Sequence, residues 1–345
     1  MHSLAQDYPA VLLRNEETPC LSLYQSTHRQ HPDNVQDPIR FRNLVKELEE
    51  SLRHKYPKRE VAPLLEPFHA LADNAAFWNH TADGLAVLGA PGMFRVYRLQ
   101  RPVAELVVVA DSFHTKPLMR ITQSVDQFQI LGLSRDGFKL FEGNRDRLME
   151  VHLEEGALGH VGHRDTEQYF RAVDQAVAQR QTRSGGMGVI LAALPEHHHL
   201  FRTVSKNAHL LKESIDVHPD AMSLDALRER AWELVQPYYL ERLSGLIDAY
   251  GAGQAKGQGA SDLADIGKAA VEGRVATLLI EADRVIAGKV DASTGAVQAG
   301  ALGDPEVDDL LDDLGELVLK AGGEVVMVPT DRMPTHTGAA AVYRF

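Results

Sequence analysis

The chain has 345 residues, 44% of them hydrophobic and 24% charged, with 48 acidic against 36 basic side chains and a formal net charge of −12. This is globular composition, long enough for two or three domains at about 100–200 residues each, and too acidic for a protein coated in positive charge for bulk nucleic-acid binding. The single cysteine, Cys20, excludes an intrachain disulfide as well as multi-cysteine zinc and redox motifs. The amino-terminal residues lack the basic start and apolar core of a signal peptide. Apolar runs such as 106–110 and 189–194 fall far short of the roughly 18–20 residues that a membrane span needs. A cytoplasmic protein with no membrane partner is expected.

In chain order, Cys20-Leu21-Ser22-Leu23-Tyr24 alternates in part like a half-buried strand. The polar loop Gln30-His31-Pro32-Asp33-Asn34 follows. A helix is expected from about Pro38, because Phe41, Leu44, Val45, Leu48 and Leu52 share one helical face, and Tyr56-Pro57 ends it. A second helix is expected over 61–78. Three strand-like runs, 85–88, 94–99 and 105–110, are punctuated by Gly and Pro. They complete an α+β unit ending near 122.

The next stretch reads as a hairpin. Apolar runs at 127–133 and 138–141 flank Asp136-Gly137, a pair suited to a tight primed turn. A third strand is expected at 148–153, then the loop 154–163. Asp165 is expected to cap a helix whose face includes Tyr169, Val173, Ala176, Val177 and Arg180. Ser184-Gly185-Gly186 breaks it. The continuous apolar run 188–194 suits a strand covered on both faces, and Pro195 opens another helix at its tolerated first turn.

The last stretch begins with a long helix, about 223–250, with Pro237 as a candidate break. Gly251 to Gly259 reads as a Gly-rich flexible loop. Ser261 is expected to cap a helix to Glu272, with a buried strand at 275–280. Asp304-Pro305-Glu306 is expected to start a helix that presents Val307, Leu310, Leu311, Leu314, Leu317 and Val318, and Gly322-Gly323 stops it. Strands at 324–328 and 339–345 close the chain.

Charge is unevenly placed. Residues 1–122 carry 14 basic and 14 acidic side chains, whereas residues 231–345 carry 9 and 18. The basic residues of the first stretch concentrate in Arg40, Arg42, Lys46, Arg53, Lys55, Lys58 and Arg59.

Several dispersed motifs together carry a family resemblance. They are Ile130-Leu131-Gly132-Leu133 with Asp136-Gly137-Phe138-Lys139-Leu140 and Gly143-Asn144, Asp262-Leu263-Ala264-Asp265 with 273–280, Asp309-Leu310-Leu311-Asp312-Asp313-Leu314, Gly322-Gly323-Glu324-Val325, and the ending 337–345. Over about 123–345 the chain resembles the bacterial archaeo-eukaryotic release-factor-like family, related to archaeal and eukaryotic class-1 peptide release factors and Pelota. The resemblance implies an N-terminal α+β domain (1–122), a ribonuclease-H-like middle domain (123–226) and an α/β/α C-terminal domain like kink-turn-RNA-binding ribosomal proteins (227–345). It implies work on the ribosome, in termination, rescue or hibernation, with the ribosome and tRNA as partners. A translational GTPase or another protein would dock on the last domain. True release factors carry a Gly-Gly-Gln loop after the third strand of the middle domain. The corresponding stretch here, 154–163, contains no Gln, and Glu154 and Glu155 have the wrong sign for RNA phosphates. Peptidyl-tRNA hydrolysis is therefore not expected.

The candidate site residues follow. Arg40, Arg42, Arg53, Lys55, Lys58 and Arg59 are the candidate RNA or ribosome contact, weighed against an ordinary charged helix face. Asp308, Asp309, Asp312 and Asp313 flank an apolar stripe and are the candidate partner face, weighed against a merely solvated one. His160 and His163 are the candidate acid–base groups if the protein is instead an ester hydrolase with a non-standard loop. A stress-response scaffold is the third reading. The triplet His197-His198-His199 places at most two rings toward one metal, because neighbours on a helix point about 100° apart. Gly253-Gln254 and Gly257-Gln258 read as connector. No metal and no cofactor is expected: no Walker, dinucleotide, HExxH or GxSxG motif occurs.

Overall fold

The computed structural model describes all residues except 1–3, 16, 30, 59, 100, 123–125, 135–136, 146, 152, 154–165, 184–186 and 301–307, with 5, 6, 147, 180–183 and 308 described by their backbone alone. The chain forms two compact units. One joins Met1–Ser124 with Gly245–Phe345, and the other is Val125–Ser244. The domain expectation differs from this in its grouping: the first and last stretches share one unit. No helix among the described residues is long and apolar enough to cross a membrane.

After a short helix α1 (Leu4–Asp7), the first stretch builds a four-stranded antiparallel sheet from β1 (Cys20–Ser26), β2 (Gly84–Ala90), β3 (Met93–Leu99) and β4 (Leu106–Ala110), in the order β3-β2-β1-β4. Successive residues of a strand face opposite sides. Leu21, Leu23, Leu85, Val87 and Val109 therefore meet the helical layer, while Tyr24, Ala86, Leu88 and Tyr97 point to a second core. The helical layer is α2 (Asp37–Lys55), which buries the five predicted apolar positions, and α3 (Ala62–Ala72). The helix expected over 61–78 is two helices. Asp73 and Asn74 interrupt it, and the Asn74 side chain accepts from Phe77 N to cap α4 (Ala75–Trp78). A short polar side chain that bonds to the backbone favours a cap over a helix interior. Helix α5 (Lys116–Thr122) ends this stretch.

The middle unit is a five-stranded sheet of β5 (Phe128–Leu133), β6 (Phe138–Asn144), β7 (Arg147–Val151), β8 (Gly188–Ala193) and β9 (Leu210–Ile215), ordered β7-β6-β5-β8-β9. The first three form an antiparallel meander, and β8 and β9 run parallel to β5. Helices α6 (Thr166–Arg183) and α7 (Pro195–Val204) cover one face through Tyr169, Phe170, Val173 and Phe201. The start of α8 (Leu224–Ala255) covers the other through Leu227, Ala231 and Val235. Strand β9 is not among the predicted elements. Its sequence, Leu-Leu-Lys-Glu-Ser-Ile, has no strand alternation, and the strand is secured from outside by Arg202, which donates to the carbonyls of Leu211 and Lys212.

The partition between units falls within α8, which continues through Pro237 and through Gly251-Ala252-Gly253 to Ala255. The expected flexible loop is thus helical over its first half, and Gly253-Gln254 lies in the last turn. The closing stretch forms β10 (Gly259–Ala260), α9 (Leu263–Val271), β11 (Val275–Glu281), β12 (Ala287–Val290), β13 (Val297–Ala299), β14 (Asp308–Asp309), α10 (Leu310–Lys320), β15 (Glu324–Val328) and β16 (Ala339–Tyr343). One sheet is ordered β10-β16-β11-β15, with β11 and β15 parallel, and a small one is ordered β13-β12-β14. Helix α9 is capped by Asp262 rather than Ser261: its side chain accepts from Ala264 N and Asp265 N. Helix α10 begins at Leu310, capped by Asp309 accepting from Leu311 N; the cap expected at Asp304 lies outside the described residues.

The first and last stretches are one unit because they share a core. Tyr8, Leu12, Leu13, Tyr24, Phe113, Leu118 and Met119 pack with Ile266, Leu278, Leu310, Leu311, Leu314 and Val318. Each large side chain fully removed from water contributes about 1.5–3 kcal/mol.

Candidate functional site

The six cationic candidates on the first stretch do not form one bare patch. Arg53 pairs with Glu49 at 2.6 Å and Arg42 with Asp73 at 3.1 Å. Neighbouring Lys46 sits 4.0 Å from Glu50. Lys55 is half-buried and its Nζ donates to Val109 O at 3.3 Å, capping an edge-strand carbonyl. Arg40 and Lys58 are exposed, and Arg59 lies outside the described residues. Helical spacing interleaves acids with bases here, so the face of α2 is mixed in sign.

The acidic candidates are corrected more sharply. Asp309 and Asp312 are 2% and 1% exposed and look into the shared core, not to solvent. Lys116 Nζ on α5 donates to Asp309 Oδ2 at 2.5 Å and also to the Arg284 carbonyl. The second oxygen of Asp309 accepts from Ile286 N and Leu311 N. Asp312 accepts from Thr115 N through both oxygens at 3.0 Å, and His114 Nδ1 lies 3.4 Å away. Asp313 is half-buried and accepts from Val290 N at 2.8 Å. Nothing is described of the Asp308 side chain. The run is thus a polar seam that fastens the last stretch to the first. Helical periodicity had put these carboxylates beside the apolar stripe, but could not reveal that a second layer covers them.

A cleft of about 440 Å³ opens beside the seam, lined by Lys55, Lys289, Lys320, Asp111, Asp313 and Glu316 among others. Two of its lysines pair with two of its carboxylates. Lys289 pairs with Asp111 at 2.7 Å and Lys320 with Glu316 at 2.8 Å. The Lys289 hydrogen bond holds the Asp111 carboxyl below the usual range. Beneath it, the Cys20 thiol is pushed up to about 12, chiefly by burial.

A second cleft, of about 400 Å³, lies between residues 31–38 and the α3–α4 corner. Its walls are pinned. Asp37, fully buried, accepts from His28 N at 2.7 Å and from His28 Nδ1 at 2.8 Å, and Gln25 Nε2 donates to the Asp37 carbonyl. On the opposite wall the Trp78 ring packs on Phe41 and Phe77, and its Nε1 donates to Leu71 O at 3.0 Å. The Arg98 guanidinium lies 4.8 Å from the Phe77 ring centre. The lining combines Val35, Pro38 and Trp78 with Asn34, Asn79 and Arg42. Asn34 falls in the polar loop expected at 30–34 and Asn79 just past the helix expected over 61–78, and no spacing in the sequence brings the two to one cleft.

In the middle unit, His160 and His163 and the whole loop 154–163 lie outside the described residues. Of the histidine triplet, His198 Nε2 lies 2.8 Å from the Ala193 carbonyl and 3.2 Å from Asp216, and His197 packs edge-on against Phe170. Among the described residues no three His, Cys, Asp or Glu side chains are grouped to hold a metal ion.

Residues 127–274 match the model of bacterial archaeo-eukaryotic release factor family 3, so the resemblance read from the sequence is borne out over that stretch; the motifs quoted from 309 onward lie beyond it. No curated protein matches the sequence. Among solved structures, the chain is similar to the archaeal translation termination factor aRF1 (19% identity, 99% of this chain, 97% of that one, TM-score 0.30). It is similar to ribosome-bound archaeal Pelota, in a structure with ABCE1 (14%, 74% and 72%, TM-score 0.41). It is also similar to Dom34 of S. cerevisiae, a translation termination-like factor interacting with Hbs1 (11%, 73% and 73%, TM-score 0.41). At scores this low, the functional reading rests on the family match.

Proposed function

We propose that this protein works on the ribosome as a release-factor-like factor that does not hydrolyse peptidyl-tRNA. The observation that carries this reading is the family match over 127–274. The sheet order β7-β6-β5-β8-β9, an antiparallel meander followed by two parallel strands, supports a ribonuclease-H-like middle unit. The absence of Gln from 154–163 supports occupancy of the ribosome without ester cleavage. Exposed Arg40 and Lys58 would contribute phosphate contacts, as would Arg53 once released from Glu49. A protein partner, a translational GTPase by the family's implication, would complete the complex.

Purified full-length protein is expected to co-sediment with ribosomes from starved or stalled cells, and to release labelled peptide from them no faster than buffer. Recovery in the supernatant alone would overturn the ribosome reading. Release above buffer that is lost in His163→Ala would replace it with the hydrolase.

A further inference from the structure

The cleft between residues 31–38 and the α3–α4 corner has the make-up of a nucleobase site. We propose that it takes a purine base, carried on a free nucleotide or on a single strand of RNA. Only the RNA source rests on the ribosome reading above.

The size is right: about 400 Å³, at the lower end of small-ligand clefts. The chemistry is right as well. A base needs an apolar surface for its faces and a few fixed donors and acceptors for its edge. Val35 and Pro38 supply the first, with Trp78 on the lining but only 5% exposed, and Asn34 and Asn79, both on the lining, bring the carboxamides for the second. A carboxamide carries both a donor and an acceptor, which is why asparagine pairs bidentately with adenine's N6 and N7. Val35 and Ile39 are 48% and 47% exposed, unusually open for large apolar side chains, and a bound base would cover Val35 within the cleft. Arg42 stands on the lining with both of its bonds inside the protein made through Nη2, to Ala72 O and Asp73 Oδ1. A guanidinium has five N–H donors in a fixed fork, so Nε and Nη1 suit the phosphate that accompanies the base. The walls are preformed, because Asp37 clamps one and the aromatic trio Phe41, Trp78 and Phe77 stiffens the other. Binding therefore costs little ordering.

The test uses full-length protein and titrates AMP, GMP, UMP and inorganic phosphate calorimetrically, with anisotropy of a labelled adenine octaribonucleotide in parallel. The purine nucleotides are expected to bind at least tenfold tighter than UMP. Asn34→Ala and Asn79→Ala, both at accessible positions, should each weaken AMP about five- to a hundredfold, with Lys256→Ala, exposed just past the end of α8, as the unchanged control. Binding of AMP and the oligonucleotide together supports the RNA source, and binding of AMP alone supports the free nucleotide. Equal binding of UMP or of phosphate, affinity unmoved by either Asn variant, or no purine binding at millimolar concentration overturns the site. Ribosome co-sedimentation of the Asn34→Ala, Asn79→Ala double variant separates the two readings: persistence there alongside lost AMP binding shows that the ribosome reading does not depend on this cleft.

Discussion

Removing the Asp309 carboxylate tests the seam directly. Lys116 is 5% exposed, and its ammonium has two acceptors, the Asp309 carboxylate and the Arg284 carbonyl. Asp309→Ala leaves a buried cation with a carbonyl alone, a loss of about 3–5 kcal/mol. The same change removes the cap on α10, about 1 kcal/mol more. For a unit of this size about 2–4 °C accompanies each kcal/mol, so the melting midpoint should fall by roughly 10–20 °C. Trp78 lies in this unit and Trp232 in the other, so fluorescence in a Trp232→Phe background reads the first unit alone. Lys46→Ala, which breaks a pair exposed on both sides, should cost no more than about 1 kcal/mol. Lys116→Met combined with Asp309→Asn, which keeps a capping side chain and removes both charges, should recover most of the loss. Amide exchange should quicken in β1 and β11 together in Asp309→Ala, because both strands border the shared core. An Asp309→Ala midpoint no lower than that of Lys46→Ala, or exchange that quickens in β11 alone, would refute the seam.

Three further outcomes are expected. Cys20 is buried and its thiol is pushed up to about 12, so iodoacetamide at pH 8 should alkylate it at least tenfold slower in native protein than in urea; equal rates would contradict the burial. The Asp291 carboxyl is held down at about 2, first by the Ser293 hydroxyl and then by the backbone of Thr294. Its folded value lies below its unfolded one, so its contribution is complete above about pH 4 and is lost as the pH falls through about 2. Ser293→Ala should raise that value in a carboxyl NMR titration, and no movement would sink the assignment. Gly295 has φ +71°, and a Cβ there would stand 2.3 Å from the Gly267 carbonyl oxygen. Gly295→Ala should destabilise the unit by about 1–3 kcal/mol or more, read by urea midpoint.

Much of the fold was legible because burial imposes a period on local sequence. The stripe Phe41, Leu44, Val45, Leu48, Leu52 gave α2, and the apolar run at 188–193 gave a strand covered on both faces. Signals of one or two residues were less secure. Pro237 does not end α8, since tertiary packing outweighs a single breaker, while Asn74 ends a helix whose apolar spacing continues. The site was harder still. The basic face of α2 was visible as residues, but its neutralisation by Glu49 and Asp73 depends on side-chain geometry, half of it from the turn between α3 and α4.

By itself the sequence determined where apolar and polar residues fall along each element, the likeness of residues 127–274 to a release-factor family, and the absence of the Gly-Gly-Gln loop, all properties of residues in order. Only the tertiary structure decided which polar residues meet water. Asp309 and Asp312 have the spacing of a solvated helix face, yet a partner some 190 residues earlier buries them. The physical reason is that a carboxylate's environment is set by whatever packs over it, and Lys116 and Thr115 come from a stretch that no local period connects to α10.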